Sequence, residues 1–96
     1  FNVMPKHAWL INIARGSLVD EKALIQALQN GVIAGAALDV FEDEPHVPAE
    51  LIALDNVVLQ PHVASATHET RQKMSEVVLA NVTAYFSGNV LPNAIN

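Results

Sequence analysis

The sequence predicts an α/β domain built on a parallel sheet, because short apolar runs alternate with a helical pattern in the first half of the chain. The run Trp9–Ala14 is short, rich in β-formers and stops at Arg15, which is typical of a buried strand. A second run, residues 32–38, has no polar alternation, as expected for a strand covered on both faces. A helical pattern separates the two runs, so the order predicts one βαβ unit.

The intervening helix has a start signal, an apolar face and a stop signal. Asp20 is a suitable N-cap, and Asn30-Gly31 provides a left-handed C-terminal stop. The apolar face repeats at helical spacing and consists of Ala23, Leu24, Ala27 and Leu28.

The next segment begins with an acidic loop, residues 42–46, that we expect to be exposed. A short helix is predicted from Pro48 to Leu54, and a third strand over Val57–Gln60. The strand is expected to end there because Pro61 cannot donate to a strand ladder.

A long helix is then predicted from the N-cap Thr67 to Gly88. Its apolar residues at helical spacing, which we expect to pack in a core, are Met74, Val77, Val78 and Tyr85. The tail from Leu91 to Asn96 is predicted to be extended.

Composition excludes several classes of function. The chain has 96 residues, a formal net charge of -5 and no basic cluster, so we expect neither nucleic-acid nor membrane binding. It has no cysteine, and its four histidines lack the spacing of a metal site, so no metal is predicted and the cytoplasm is the default compartment. A chain that starts with Phe1 also reads as if it were cut from a longer protein.

Candidate chemical groups follow each predicted strand. Arg15 follows the first strand, Asp39 the second with Glu44 soon after, and His62 the third. Ligands of open parallel sheets bind at the carboxyl ends of the strands. A guanidinium, a carboxylate and an imidazole can together bind an anionic oxo acid and move a proton to its carbonyl oxygen. Each residue alone is equally typical of a solvated strand end or loop, and only their joint placement favours a site.

Three ordered motifs resemble the D-isomer-specific 2-hydroxyacid dehydrogenases and cover most of the chain. They are Asn12–Glu21, Gly35–Pro45 and Pro61–Thr67. The resemblance implies part of a doubly wound parallel-sheet, Rossmann-like nucleotide-binding domain. Residues 1–66 would form the second half of that domain, and residues 67–96 a crossing helix and a tail that return to an absent substrate domain. The four glycines cannot form G-x-G-x-x-G, so the chain lacks a complete cofactor site.

The resemblance also implies roles for individual residues. The implied catalytic residues are Arg15, which holds the substrate carboxylate or carbonyl oxygen, His62, which transfers the proton, and Glu44, which pairs with His62 in preference to Glu42. The implied cofactor contacts are Ile13, Ala14, Arg15, Asp39, His62, Ala64 and Ser65, with Asp39 orienting the nicotinamide carboxamide. NAD and NADP both remain open.

The implied activity is hydride transfer between a nicotinamide cofactor and a 2-oxo or D-2-hydroxy acid. The third motif is most similar to glyoxylate or hydroxypyruvate reductases and related sugar-acid reductases. A homodimer is expected from the resemblance. Two alternatives stay open at this point: a nucleotide-sensing interaction module of corepressor type, and an inactive truncated fragment.

Overall fold

The structure is a computed structural model that describes residues 1–95 and divides the chain into two compact units. The first unit is Phe1–Ala64, and the second begins at Ser65. The first unit holds a three-stranded parallel sheet with helices between its strands. This arrangement confirms the predicted α/β class.

The sheet consists of β1 (Trp9–Asn12), β2 (Gly35–Leu38) and β3 (Val57–Leu59), in that order. Both pairs are parallel, with Trp9 opposite Gly35 and Ala36 opposite Val57. All three carboxyl ends therefore lie at the same edge of the sheet. The sheet has an uneven cover, because β2 is largely buried whereas Ile11 and Val58 are exposed.

Two helices connect the strands: α1 (Glu21–Gln29) and α2 (Ala49–Ile52). Asp20 caps α1 as predicted, because its carboxylate accepts a hydrogen bond from Ala23 N. The core combines side chains from α1, β2, α2 and their adjoining segments. Its buried members are Leu24, Ala27, Leu28, Ile33, Ala36, Leu38, Phe41 and Leu51.

All three strands are shorter than predicted, and hydrogen bonds explain two of the differences. Val32 N donates to Ala27 O, and Gly31 N to Leu28 O, in the Schellman pattern that ends α1. The amide of Val32 is thus used in the hydrogen bonding that ends α1, and β2 begins only at Gly35. At β1, the side chain of Asn12 hydrogen-bonds to the backbone of Ala14 and Arg15. The chain therefore turns after Asn12, and β1 ends there. The short 3-10 turn at Gly16–Leu18 was not predicted.

The second unit is described by itself and contains α3 (His68–Phe86). Thr67 caps α3 as predicted by accepting from Thr70 N. Gly88 has a φ of 68° and ends α3 with the same Schellman pattern. The expectation that the apolar residues of α3 pack in a core is wrong, because within residues 1–95 none of the residues of α3 is buried.

The tail is also less regular than predicted. The side chain of Asn81 donates to Asn93 Oδ1 and accepts from Asn93 N, which fastens the tail to α3. Residues 92 and 93 form a turn, and Asn96 lies outside the described residues. Within the described part, no helix combines the length and the apolar character that crossing a membrane requires.

Candidate active site

Backbone hydrogen bonds carry the sheet pairing one residue beyond the strand ends. Asp39 N donates to Asn12 O, and Gln60 N donates to Leu38 O, each at 2.9 Å. The turns that carry Arg15 and His62 therefore start from a rigid edge, with Asp39 between them. This edge is where the sequence predicted a site.

His62 and Glu44 form a side-chain pair at this edge. His62 Nδ1 lies 2.7 Å from Glu44 Oε2, and Phe41 N donates to Glu44 Oε1 at 3.0 Å. Because a carboxylate only accepts hydrogen bonds, Nδ1 carries the proton in this contact. The pair is half exposed, with 49% of the His62 and 34% of the Glu44 side chain accessible. Nε2 of His62 is thereby left to act on a ligand.

The surroundings of Glu44 favour its charged form. The hydrogen bond from His62 lowers the pKa of the Glu44 carboxyl below its ordinary value, and the Phe41 N–H and the charge of Arg15 lower it further. Desolvation acts in the opposite direction and is smaller than the effect of either hydrogen bond, although it exceeds that of the Arg15 charge. Glu44 is therefore ionised throughout the neutral range.

Asp39 holds the turn that carries His62. His62 has a φ of 56°, in the left-handed region that a bulky residue adopts only when its surroundings impose it. The two next amides, Val63 N and Ala64 N, donate to the two carboxylate oxygens of Asp39 at 2.8 and 2.9 Å. Asp39 is only 4% exposed. The Val63 bond is the main reason why the pKa of Asp39 is lowered.

Asn12 holds the turn that carries Arg15 and was missed as a site residue by the sequence reasoning. Its Oδ1 accepts from Ala14 N at 3.1 Å, and its Nδ2 donates to Arg15 O at 2.9 Å. Asn12 is 7% exposed, whereas Arg15 is exposed and donates from Nη1 to Ala14 O. The available signal was a single polar residue inside the apolar run Trp9–Ala14.

Close approach of two backbone segments links the Arg15 turn to the Glu44 loop. A Cβ on Gly16 would collide with the backbone carbonyl of Phe41, so only glycine allows this approach. Glu21 Oε1 also accepts from Glu42 N at 3.3 Å. Glu42, the alternative partner considered for His62, is thus held through its backbone while its side chain is exposed.

A hollow of 240 Å³ opens at the ends of the strands. Its lining is mainly small or aliphatic and consists of Ile13, Ala37, Leu38, Asp39, Val58, Gln60 and Ala64. Such a surface fits one face of a flat ring such as nicotinamide. No G-x-G-x-x-G motif accompanies it, so the chain offers residues for the ring but not that motif for the pyrophosphate.

The remaining predicted contacts are less closely involved. Ala14 takes part in the turn through its backbone, whereas Ser65 is exposed and belongs to the second unit, which is described apart from this site. Among residues 1–95, no group of three or more His, Asp or Glu side chains is arranged to hold a metal ion.

A parallel sheet with a hollow at its strand ends, beside the hydrogen-bonded His62–Glu44 pair, is the arrangement expected of an α/β domain that binds a ligand at the carboxyl ends of its strands. The profile of the family described as D-isomer specific 2-hydroxyacid dehydrogenase, NAD binding domain, matches residues 1–64. The chain belongs to this family, which confirms the resemblance found in the sequence.

Three similar proteins are informative. The glyoxylate reductase of Pyrococcus furiosus is 54% identical over 94 residues, which are 98% of this chain and 28% of that protein. The glyoxylate/hydroxypyruvate reductase A of Arabidopsis thaliana is 61% identical over 82 residues, 85% of this chain and 26% of that protein. The crystal structure of an NADPH-dependent glyoxylate/hydroxypyruvate reductase from Sinorhizobium meliloti, in complex with NADP and malonate, superposes with a TM-score of 0.87 at 53% identity.

The structural match covers 94% of this chain and 28% of the Sinorhizobium chain. The chain thus spans less than a third of the length of each of these three relatives.

Proposed function

We propose that this chain is the part of an NAD- or NADP-dependent D-2-hydroxyacid dehydrogenase that carries its catalytic residues. The enzyme would reduce glyoxylate, hydroxypyruvate or a related sugar acid. The observation that carries the proposal is the 2.7 Å contact between His62 and Glu44 at the strand ends. The names of the relatives support the substrate class.

In the proposed reaction, Arg15 binds the substrate. Its guanidinium is exposed at the end of β1 and presents two parallel N–H donors to the carboxylate, or one to the carbonyl oxygen. Its positive charge also lies close enough to Glu44 to lower the pKa of that carboxyl. The substrate anion therefore binds beside the acid–base pair.

His62 donates the proton. Its Nδ1 is occupied by Glu44, so Nε2–H of the imidazolium faces the carbonyl oxygen and transfers its proton as that oxygen gains negative charge. Glu44 remains charged and holds Nδ1 of the imidazole through its hydrogen bond. In the oxidative direction, neutral His62 accepts the proton from the hydroxyl group through the same nitrogen.

The nicotinamide ring is proposed to rest on the strand-end hollow, against Ile13 and Ala64. When bound, the dinucleotide supplies the hydrogen and two electrons that reduce the carbonyl carbon. Asp39 faces the hollow, and carboxylate oxygens have lone pairs beyond those used by Val63 and Ala64, so it can also orient the carboxamide.

The proposed domain roles follow the same assignment. Residues 1–66 act as the second half of the nucleotide-binding domain, and residues 67–96 as the helix and tail that lead to a substrate domain. A homodimer and a cytoplasmic location are further proposals, which size-exclusion chromatography with light scattering and cell fractionation would test.

The test of the function uses the complete gene product. Oxidation of NADH and of NADPH is measured with glyoxylate and with hydroxypyruvate, for the wild type, His62→Asn and His46→Asn. His46 is a matched control because it is a loop histidine with 80% of its side chain exposed. We expect wild-type turnover, a fall in kcat of about 10²- to 10⁴-fold for His62→Asn, and little change for His46→Asn. Tight dinucleotide binding without turnover would instead indicate a sensor.

A further inference from the structure

We infer that Asn12 is a positioning residue for substrate binding, which holds Arg15 in the orientation that receives the carboxylate of the 2-oxo acid. This inference rests on the proposed function. It concerns a residue that lies at the end of β1 and has no implied role in the chemistry.

The argument begins with the two hydrogen bonds of the Asn12 side chain. The amide oxygen of Asn12 accepts a hydrogen bond from Ala14 N, and its amide nitrogen donates one to Arg15 O. The side chain therefore bridges the turn with both of its polar atoms. Only a short side chain with one acceptor and one donor on the same carbon can do this. Aspartate has no donor, alanine has neither group, and glutamine places its amide one methylene further out.

Burial makes these two bonds consequential. Asn12 is 7% exposed, so its side-chain amide would have little access to water if it lost these partners. The backbone of Asn12 is fixed as well, because its carbonyl accepts from Asp39 N. The turn is therefore anchored to the sheet, and Arg15 projects from an anchored point into solvent.

The exposed Arg15 side chain has few restraints of its own. Apart from one bond from Nη1 to Ala14 O, which lies on the same turn, its direction depends on the backbone beneath it. Fixing a long side chain such as arginine is entropically costly. A displaced turn therefore moves the guanidinium away from the substrate and lowers the affinity for the carboxylate, while His62 and Glu44 stay paired.

Asn56 provides a matched control at the opposite edge of the sheet. Its Nδ2 donates to Ala34 O at 3.2 Å, and it is partly buried, so it resembles Asn12 in residue type and in binding a backbone carbonyl. It lies next to the start of β3, away from the strand ends that carry the site. Asn56→Asp should disturb local stability without disturbing Arg15.

The experiment compares Asn12→Asp, Asn12→Ala and Asn56→Asp in the complete gene product. We expect Asn12→Asp to raise the KM for glyoxylate about tenfold, with a smaller change in kcat and an unmoved acidic limb of the pH profile. Asn12→Ala should behave similarly, and Asn56→Asp should keep the wild-type KM. Hydrogen exchange at the Ala14 amide should accelerate in Asn12→Ala, which has no acceptor for it, and much less in Asn12→Asp, whose carboxylate still accepts from Ala14 N.

Other outcomes would overturn the inference. An unchanged KM in Asn12→Ala together with faster exchange would show that the turn does not orient Arg15. An equal rise in KM for Asn56→Asp would show a general loss of structure. Binding of oxamate in the presence of NADH, measured by calorimetry, separates the two proposals. If the wild type binds oxamate but does not reduce glyoxylate, the proposed function fails, and the ratio of oxamate affinities still tests Asn12.

Discussion

The two turns at the edge of the sheet are held in opposite ways. Asn12 fixes the Arg15 turn with bonds that span two and three residues along the chain. Asp39 fixes the His62 turn with bonds that span 24 and 25 residues. The first turn has a neutral amide as its support, and the second has a buried carboxylate. The Arg15 turn is therefore a local structure, whereas the His62 turn forms only when β2 and β3 are paired.

This difference predicts separable effects on function. A change at the Arg15 turn should alter the affinity for the substrate anion, because Arg15 bears a charge but moves no proton. A change at the His62 turn should alter kcat and its pH dependence, because the imidazole is the proposed proton donor. Variants at each turn can test whether the effects on substrate affinity and on kcat are separable.

The largest effect beyond loss of the imidazole itself is expected from Asp39→Ala. Without the carboxylate, Val63 N and Ala64 N lose their acceptors, so the turn that holds His62 at positive φ loses both of its bonds to Asp39. We expect kcat to fall by roughly 100-fold, near the lower limit for loss of a general acid. Asp43→Ala, in the exposed loop, is the control and should retain kcat. A rise in KM alone would contradict the comparison.

The same carboxylate predicts a pH dependence of stability. Since the folded pKa of Asp39 is lowered from 3.8, its contribution is present above that value and is lost as the pH falls through the lowered pKa. Acid unfolding should therefore begin at higher pH in Asp39→Ala than in the wild type. Circular dichroism across an acid titration would detect the shift, and identical titrations would contradict it.

A smaller effect is expected from Arg15→Lys. Lysine keeps the charge but not the paired donors, so we expect the KM for glyoxylate to rise about tenfold with the pH profile unchanged. Steady-state kinetics measure both quantities. Arg71→Lys on α3 is the matched control. A displaced pH profile in Arg15→Lys would mean that the two turns are not separable.

The smallest effect is expected from Asp20→Ala, which removes the cap of α1 without touching either turn. The free energy of unfolding should fall by about 1 kcal/mol, measured by urea denaturation. The kinetic constants should remain those of the wild type. If this variant also raised the KM, loss of stability alone would account for the changes assigned to the turns.

Local signals in the sequence predicted the helices of this chain well. Asp20, Thr67 and Gly31 act within a few residues of their own positions, and each was found as predicted. The boundary at Val32 was wrong because the helix end and the strand compete for the same amide, and the Schellman bond prevails. An apolar pattern cannot show whether such an amide donates to the end of a helix or to a neighbouring strand.

The candidate site was predictable as a set of residue types, but its supports were not. The left-handed conformation of His62 and the bonds of Asp39 depend on the pairing of distant strands, for which the local sequence carries no pattern. Asn12 is a local feature, but a lone polar residue in a strand has many uses. The exposure of α3 was also unpredictable, since its spacing reports which residues share a face and not what covers that face.

The most direct test of the account is the pH profile of glyoxylate reduction in the wild type, Glu44→Gln and the control Glu42→Gln. Because His62 holds the pKa of Glu44 below 4.5, the acidic limb of the wild type should lie below that pH. In Glu44→Gln, the carboxyl to which the acidic limb is assigned is absent, so that limb should be lost and the optimum should extend to lower pH, whereas Glu42→Gln should match the wild type. If the profile of Glu44→Gln coincided with that of the wild type, the proposed acid–base pair would be contradicted.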